Sequence, residues 1–68
     1  MIAKPKISDA LSMEDTDGFM YVDINPEQQW SVIREWKNGE MIDIKFQCVQ
    51  LSLKRDTFNK YFELATNQ

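Results

Sequence analysis

The sequence predicts an α+β fold: a small antiparallel sheet with a C-terminal helix, and a second helix at 26–37, packed on it. Three patterns carry that expectation. Residues 41–53, MIDIKFQCVQLSL, alternate apolar and polar positions with the period of two that a strand with one buried face requires. Phe58, Tyr61, Phe62, Leu64 and Ala65 fall on one helical arc, with Asn59, Lys60, Glu63 and Thr66 on the other. Residues 25–39 carry start and stop signals of a helix at either end.

In chain order, residues 1–17 contain Pro5, two serines, four acids and scattered apolar positions. That composition reads as a flexible acidic N-terminal tail, and a short helix starting at Ser8 is the competing reading. Asp17-Gly18 is a turn signal, and FMYVDI after it reads as a strand rich in aromatic and branched residues. The domain proper is expected over 18–68.

The next stretch is ambiguous. As a helix it has Asn25 as cap, Pro26 at the first helical position, Glu27 in the first turn and Gly39 just past the end. Trp30, Val32, Ile33 and Trp36 then share an arc of roughly 160°. As a hairpin it has Asn38-Gly39 in a type I′ turn, with Arg34 facing Asp43. The hairpin also puts Ser31 and Glu35 on the face of Ile42, Ile44 and Phe46, which burial penalises, and the helix is preferred on that ground.

Residues 41–53 change phase once. Ile42, Ile44, Phe46 and Cys48 fall on one side, then Val49, Leu51 and Leu53 after a one-residue slip. A tight turn at Gln47-Cys48 or a bulge at Cys48/Val49 accounts for the slip, and the turn is preferred. The last helix follows, with Leu53 and Phe58 spaced as a hydrophobic staple and Asp56 in the first turn.

Sixty-eight residues without repeats allow one domain, which buries only about 60% of its unfolded surface. Small cores lean on disulfides, metals or oligomerisation. One cysteine and no histidine remove the first two in their usual forms and leave oligomerisation, as a homodimer, or a domain that simply folds alone. Cys48 is expected as a small core hydrophobe at a strand end, in keeping with a reducing compartment. With no apolar run of signal-peptide or membrane-spanning length, a cytoplasmic protein is expected.

The residues support little catalytic chemistry. Without histidine the commonest general base is missing, and Ser52 with Lys54 is indistinguishable from an ordinary strand edge. Glu14, Asp15 and Asp17 could pair as carboxylates, but they lie in the least structured stretch. A calcium loop with Gly18 at its sixth position has Met13 first and Ile24 twelfth, both wrong. Two glycines leave no phosphate loop. No enzyme, cofactor or metal is expected.

Charge is segregated along the chain. Residues 7–33 hold six acids and no base, while the whole chain has a net charge of −3. A protein partner with a basic surface is therefore expected, met by Asp15, Asp17 and Asp23. Eight aromatic residues are many for so small a core, so Trp30 and Trp36 are the candidate interface anchors. The expected function is a non-enzymatic protein-interaction module: an accessory subunit, regulator or inhibitor.

The alternative is single-stranded nucleic-acid binding through Lys45, Lys54 and Arg55. The stretches LSLKRDTFNKYFEL and VDINPEQQWSVI resemble the closing strand and helix of small transcriptional coactivators. That resemblance implies a curved sheet binding single-stranded DNA. Against it, the acidic first half opposes the approach of a polyanion.

Overall fold

The computed structural model describes residues 1–15 and 18–65, and the side chains of 13–15, 19 and 20 are left out of the description. Among the described residues, seven strands and one short helix follow in order: β1 (Ile2–Pro5), β2 (Asp9–Asp15), β3 (Gly18–Ile24), β4 (Trp30–Trp36), β5 (Met41–Phe46), β6 (Val49–Lys54), α1 (Arg55–Tyr61) and β7 (Phe62–Ala65). Five strands form a curled antiparallel sheet in the order β6-β5-β4-β1-β7, and β2 with β3 forms a separate two-stranded hairpin. The fold is therefore mostly β, which corrects the α+β expectation.

The expected tail is also corrected. Far from trailing, β1 lies inside the sheet between β4 and β7, with Ala3 opposite both Trp30 and Leu64. Proline is accepted in β1 because pairing with β4 ends at Ala3, so the side of Pro5 that lacks an N–H has no strand to bond. The 17/18 boundary falls within one hairpin, whose register runs from Asp9↔Ile24 to Asp15↔Gly18.

The second helix does not form. Its cap-like residues make a turn instead: Asn25 Oδ1 accepts from the Glu27 amide at 2.9 Å, and the Gln28 amide donates to the Asn25 carbonyl at 3.1 Å. An Asn-Pro pair opens either structure, since the Asx side chain satisfies the same amides in both. Residues 30–36 then run as β4 against β5, with Arg34 opposite Asp43 and Trp36 opposite Met41.

The objection to that hairpin disappears at one position. The register shifts between Val32 and Arg34, so Ile33 is an extra residue on β4. Before the shift Val32 faces Ile44, and Ser31 faces Lys45 on the outer side. After it, Glu35 does share a side with Ile42, but at the rim. There Arg55 Nη2 donates to Glu35 Oε1.

The β4–β5 loop needs positive φ, and Lys37, Asn38 and Gly39 have φ of 53°, 56° and 86°. Asn38 and Gly39 are the residues that tolerate this best. Gln47-Cys48 is the tight turn joining β5 to β6, with Phe46 opposite Val49 and a φ of 56° at Gln47. Cys48 is exposed there, which corrects its expected burial.

At the C-terminus the helix stops at Tyr61, and Phe62–Ala65 turns into a strand paired with β1. Seven residues cannot hold a helix on their own, so packing holds it. Phe58 and Phe62 stack at 5.6 Å between centroids, and Leu53 and Phe58 are both buried, as the staple spacing implies.

The core lies inside the curl. Trp30, Ile42, Ile44, Leu53, Phe58 and Phe62 are its largest enclosed side chains. The inner face of the hairpin closes it with Leu11, Val22 and Ile24. Among the described residues no helix is long and apolar enough to cross a membrane.

Candidate interaction surface

Strand alternation gives β4, β5 and β6 an outer face opposite the core, and its rows follow from the register. Ser31, Lys45 and Gln50 form one row, Arg34, Asp43 and Ser52 the next, and Trp36, Met41 and Lys54 the last. Such a face is normally solvated, yet Asp43 at its centre is only 2% exposed.

The cause is the pair of side chains folded over it. Arg34 Nε donates to Asp43 Oδ2 at 2.8 Å, and Trp36 Nε1 donates to Asp43 Oδ1 at 3.0 Å. Burial raises a carboxyl pKa, but here the Arg34 and Trp36 hydrogen bonds outweigh it, helped by Ser52. The Asp43 pKa lies below the ordinary aspartate value and the carboxylate is ionised at neutral pH. No buried side-chain polar atom among the described residues lacks a partner.

Trp36 is thereby held in one orientation. Its indole is half-buried, with the Arg34 guanidinium carbon 5.3 Å and the Lys37 ammonium 5.6 Å from the ring centroid. Lys45 and Lys54 are exposed on the same face and form no ion pair among the described residues. The face is thus cationic and hydrogen-bonding, with one pinned aromatic in its last row.

Of the other residues singled out in the sequence, Trp30 lies elsewhere. It is 1% exposed, packs against Phe46 at 5.3 Å and edge-on to Phe62 at 5.8 Å, and its Nε1 donates to Gln28 Oε1 at 2.9 Å. A side chain so enclosed cannot anchor a partner, which corrects its assignment as an anchor. Arg55 is spent inside the molecule: besides the Glu35 pair, its Nε donates to the Gly39 carbonyl at 2.8 Å. It ties the β4–β5 loop to α1 and is withdrawn from the cationic candidates. Lys45 and Lys54 stay on the surface with Trp36.

The acidic candidates lie on the hairpin. Asp23 is exposed on β3, beside Tyr21, which at 71% is the most exposed aromatic described. Asp15 ends β2, with its side chain outside the description, and Asp17 lies outside the described residues. Tyr21, read in the sequence only as part of an aromatic-rich strand, was not among the candidate anchors. Sequence reasoning also missed Asp43, whose place in an alternating strand looks like any solvent-facing acid. The only signal for Asp43 was its pairing with Arg34 in the hairpin reading.

An open depression of about 470 Å³ lies beside this face, between the β4–β5 loop and the start of α1, with Lys37, Glu40, Met41 and Lys54 in its wall. Among the described residues no three metal-binding side chains converge. The stretch VDINPEQQWSVI is strand, turn and strand, where the likeness to the coactivators implied a strand entering a helix. Comparison of the chain with protein families, characterised proteins and solved structures gives no match.

Proposed function

We propose that this chain is a non-enzymatic protein-interaction module, an accessory subunit or regulator, whose contact surface is the outer face of β4–β6. The observation that supports it is Trp36: a half-buried indole fixed by Asp43 and flanked by Arg34 and Lys37. Rigid aromatics give up little conformational entropy on binding, and Trp and Arg are the residues most enriched at binding hot spots. The surrounding lysines bias the face toward a partner with an acidic surface, and the hairpin acids bias the opposite pole toward a basic one.

The test is capture of partners from the native host by tagged wild-type protein and by Trp36→Ala. A specific partner retained by wild type and lost with a folded Trp36→Ala supports the reading. Equal capture by both removes the face from consideration.

A second reading has its own observation. Lys45 and Lys54 share the Trp36 face, and an aromatic among cations on a sheet can bind a single strand. Titration of Trp36 fluorescence with a single-stranded oligonucleotide at low salt tests it. Quenching that disappears on Lys45→Glu with Lys54→Glu would move the assignment to nucleic acid.

A further inference from the structure

The hairpin β2–β3 and the outer face of β4–β6 complement each other, although they belong to one chain. The hairpin strands carry Asp9, Glu14, Asp15 and Asp23 without a single lysine or arginine. The exposed side of the hairpin pairs Ser12 with Tyr21 and Ala10 with Asp23. Tyr21 therefore stands proud beside two small residues and an acid. The sheet face offers the converse: Lys45 and Lys54 project from a surface of serines and glutamine around the fixed indole of Trp36.

We propose that the occupant of the Trp36 face is the hairpin of a second copy of this chain, stacked head-to-tail, with Tyr21 against Trp36 and Asp23 toward Lys54, which shares the Trp36 row. The contact joins two different patches, so a stacked pair as a whole keeps one free hairpin, on one copy, and one free face, on the other. Two observations select a second copy over a foreign partner. The acidic and cationic surfaces are segregated on one 68-residue chain, and the most exposed described aromatic lies on the acidic one. A contact made largely of exposed charge is weakened by salt. The inference rests on the proposed function only in taking the Trp36 face as the contact surface.

Light scattering of the full chain across a salt series tests this directly. The expected mass exceeds the 8.1 kDa of one chain at low salt and falls toward it as salt is raised. Tyr21→Ala with Asp23→Asn destroys the hairpin side, and Lys45→Glu with Lys54→Glu destroys the sheet side. All four positions are exposed, and near-ultraviolet circular dichroism confirms that both variants are folded. Each variant alone should associate at least about tenfold more weakly than wild type. An equimolar mixture should regain a complex that stops at two chains, because each variant retains the surface the other lacks.

A wild-type mass of 8.1 kDa at every salt concentration overturns the proposal. So does association that neither variant weakens, or a mixture that stays monomeric. A monomeric wild type that still captures a foreign protein through Trp36 retires the self-contact and leaves the proposed function standing. A monomer that binds an oligonucleotide through Lys45 and Lys54 overturns both.

Discussion

The indole nitrogen of Trp36 lies 3.0 Å from Oδ1 of Asp43, on the side of the sheet that faces away from the core. One hydrogen bond thus fixes a large aromatic on the surface and helps shelter a carboxylate that water would otherwise solvate. With Arg34 on the other oxygen, the three residues form a small polar unit outside the hydrophobic core, in which Asp43 is buried, Trp36 half-buried and Arg34 exposed. Its members depend on one another, because an unpaired buried carboxylate is costly.

Removing one donor at a time reads that dependence. Trp36→Phe keeps most of the ring and deletes the N–H, and a loss of about 1–2 kcal/mol in urea unfolding is expected. The same change made beside Asp43→Asn should cost less than the sum of the two single losses. Additive losses would show that the two groups act independently.

The pH dependence follows from the lowered pKa of Asp43. A carboxyl whose folded pKa is depressed contributes stability that is fully present above the unfolded value. That contribution is lost as pH falls through the folded one. Stability should therefore be level in this contribution at neutral pH and drop below about pH 4. Asp43→Asn should be less stable at neutral pH and show a shallower acid limb, measured by chemical denaturation at stepped pH.

The two tryptophans should separate cleanly. Trp30→Ala opens the centre of the core, a loss of about 3–5 kcal/mol for an aromatic. A chain of this length has only about 3–10 kcal/mol in total, so the variant should be largely unfolded by circular dichroism. Trp36→Ala should keep its fold, because it leaves no core cavity. An unfolded Trp36→Ala would show that the indole contributes far more to stability than its hydrogen bond to Asp43.

At the β5–β6 turn, Gln47 holds a φ of 56° that glycine adopts freely. The strain relieved, about 1–2 kcal/mol, exceeds the added unfolded-state entropy of glycine, about 0.5–1 kcal/mol. Gln47→Gly should raise stability by roughly 0.5–1 kcal/mol, read as a higher urea midpoint at unchanged slope. A lower midpoint would mean that the Gln47 side chain makes a compensating contact.

Local patterns were readable where one local rule decided the outcome. The alternation of residues 41–53 gave β5 and β6 and their turn, since period two with a single phase slip has few solutions. The start of the last helix at Asp56 and Phe58 was readable for the same reason. Residues 25–39 were not, because Asn25, Pro26 and Gly39 serve a helix or a turn equally well. Residues 1–15 looked like a tail because their strands bury little by themselves. Ala3 and Leu11 become core only when β4, β7 and the rest of the chain reach them. The Trp36 surface was half legible: the residue was singled out, but nothing in its neighbourhood distinguished it from Trp30.

By itself the sequence determined what the molecule has to work with: one small domain, no imidazole, one thiol, an acidic first half, and a strand pair at 41–53. Tertiary structure decided that residues 30–36 are a strand, that Trp30 is enclosed and Trp36 half-buried on the outer face, and that Asp43 is buried under Arg34 and Trp36. The physical reason is the extra residue at Ile33. Strand side chains alternate between two faces, so one inserted residue reassigns every side chain beyond it, and only pairing with β5 fixes where the insertion falls.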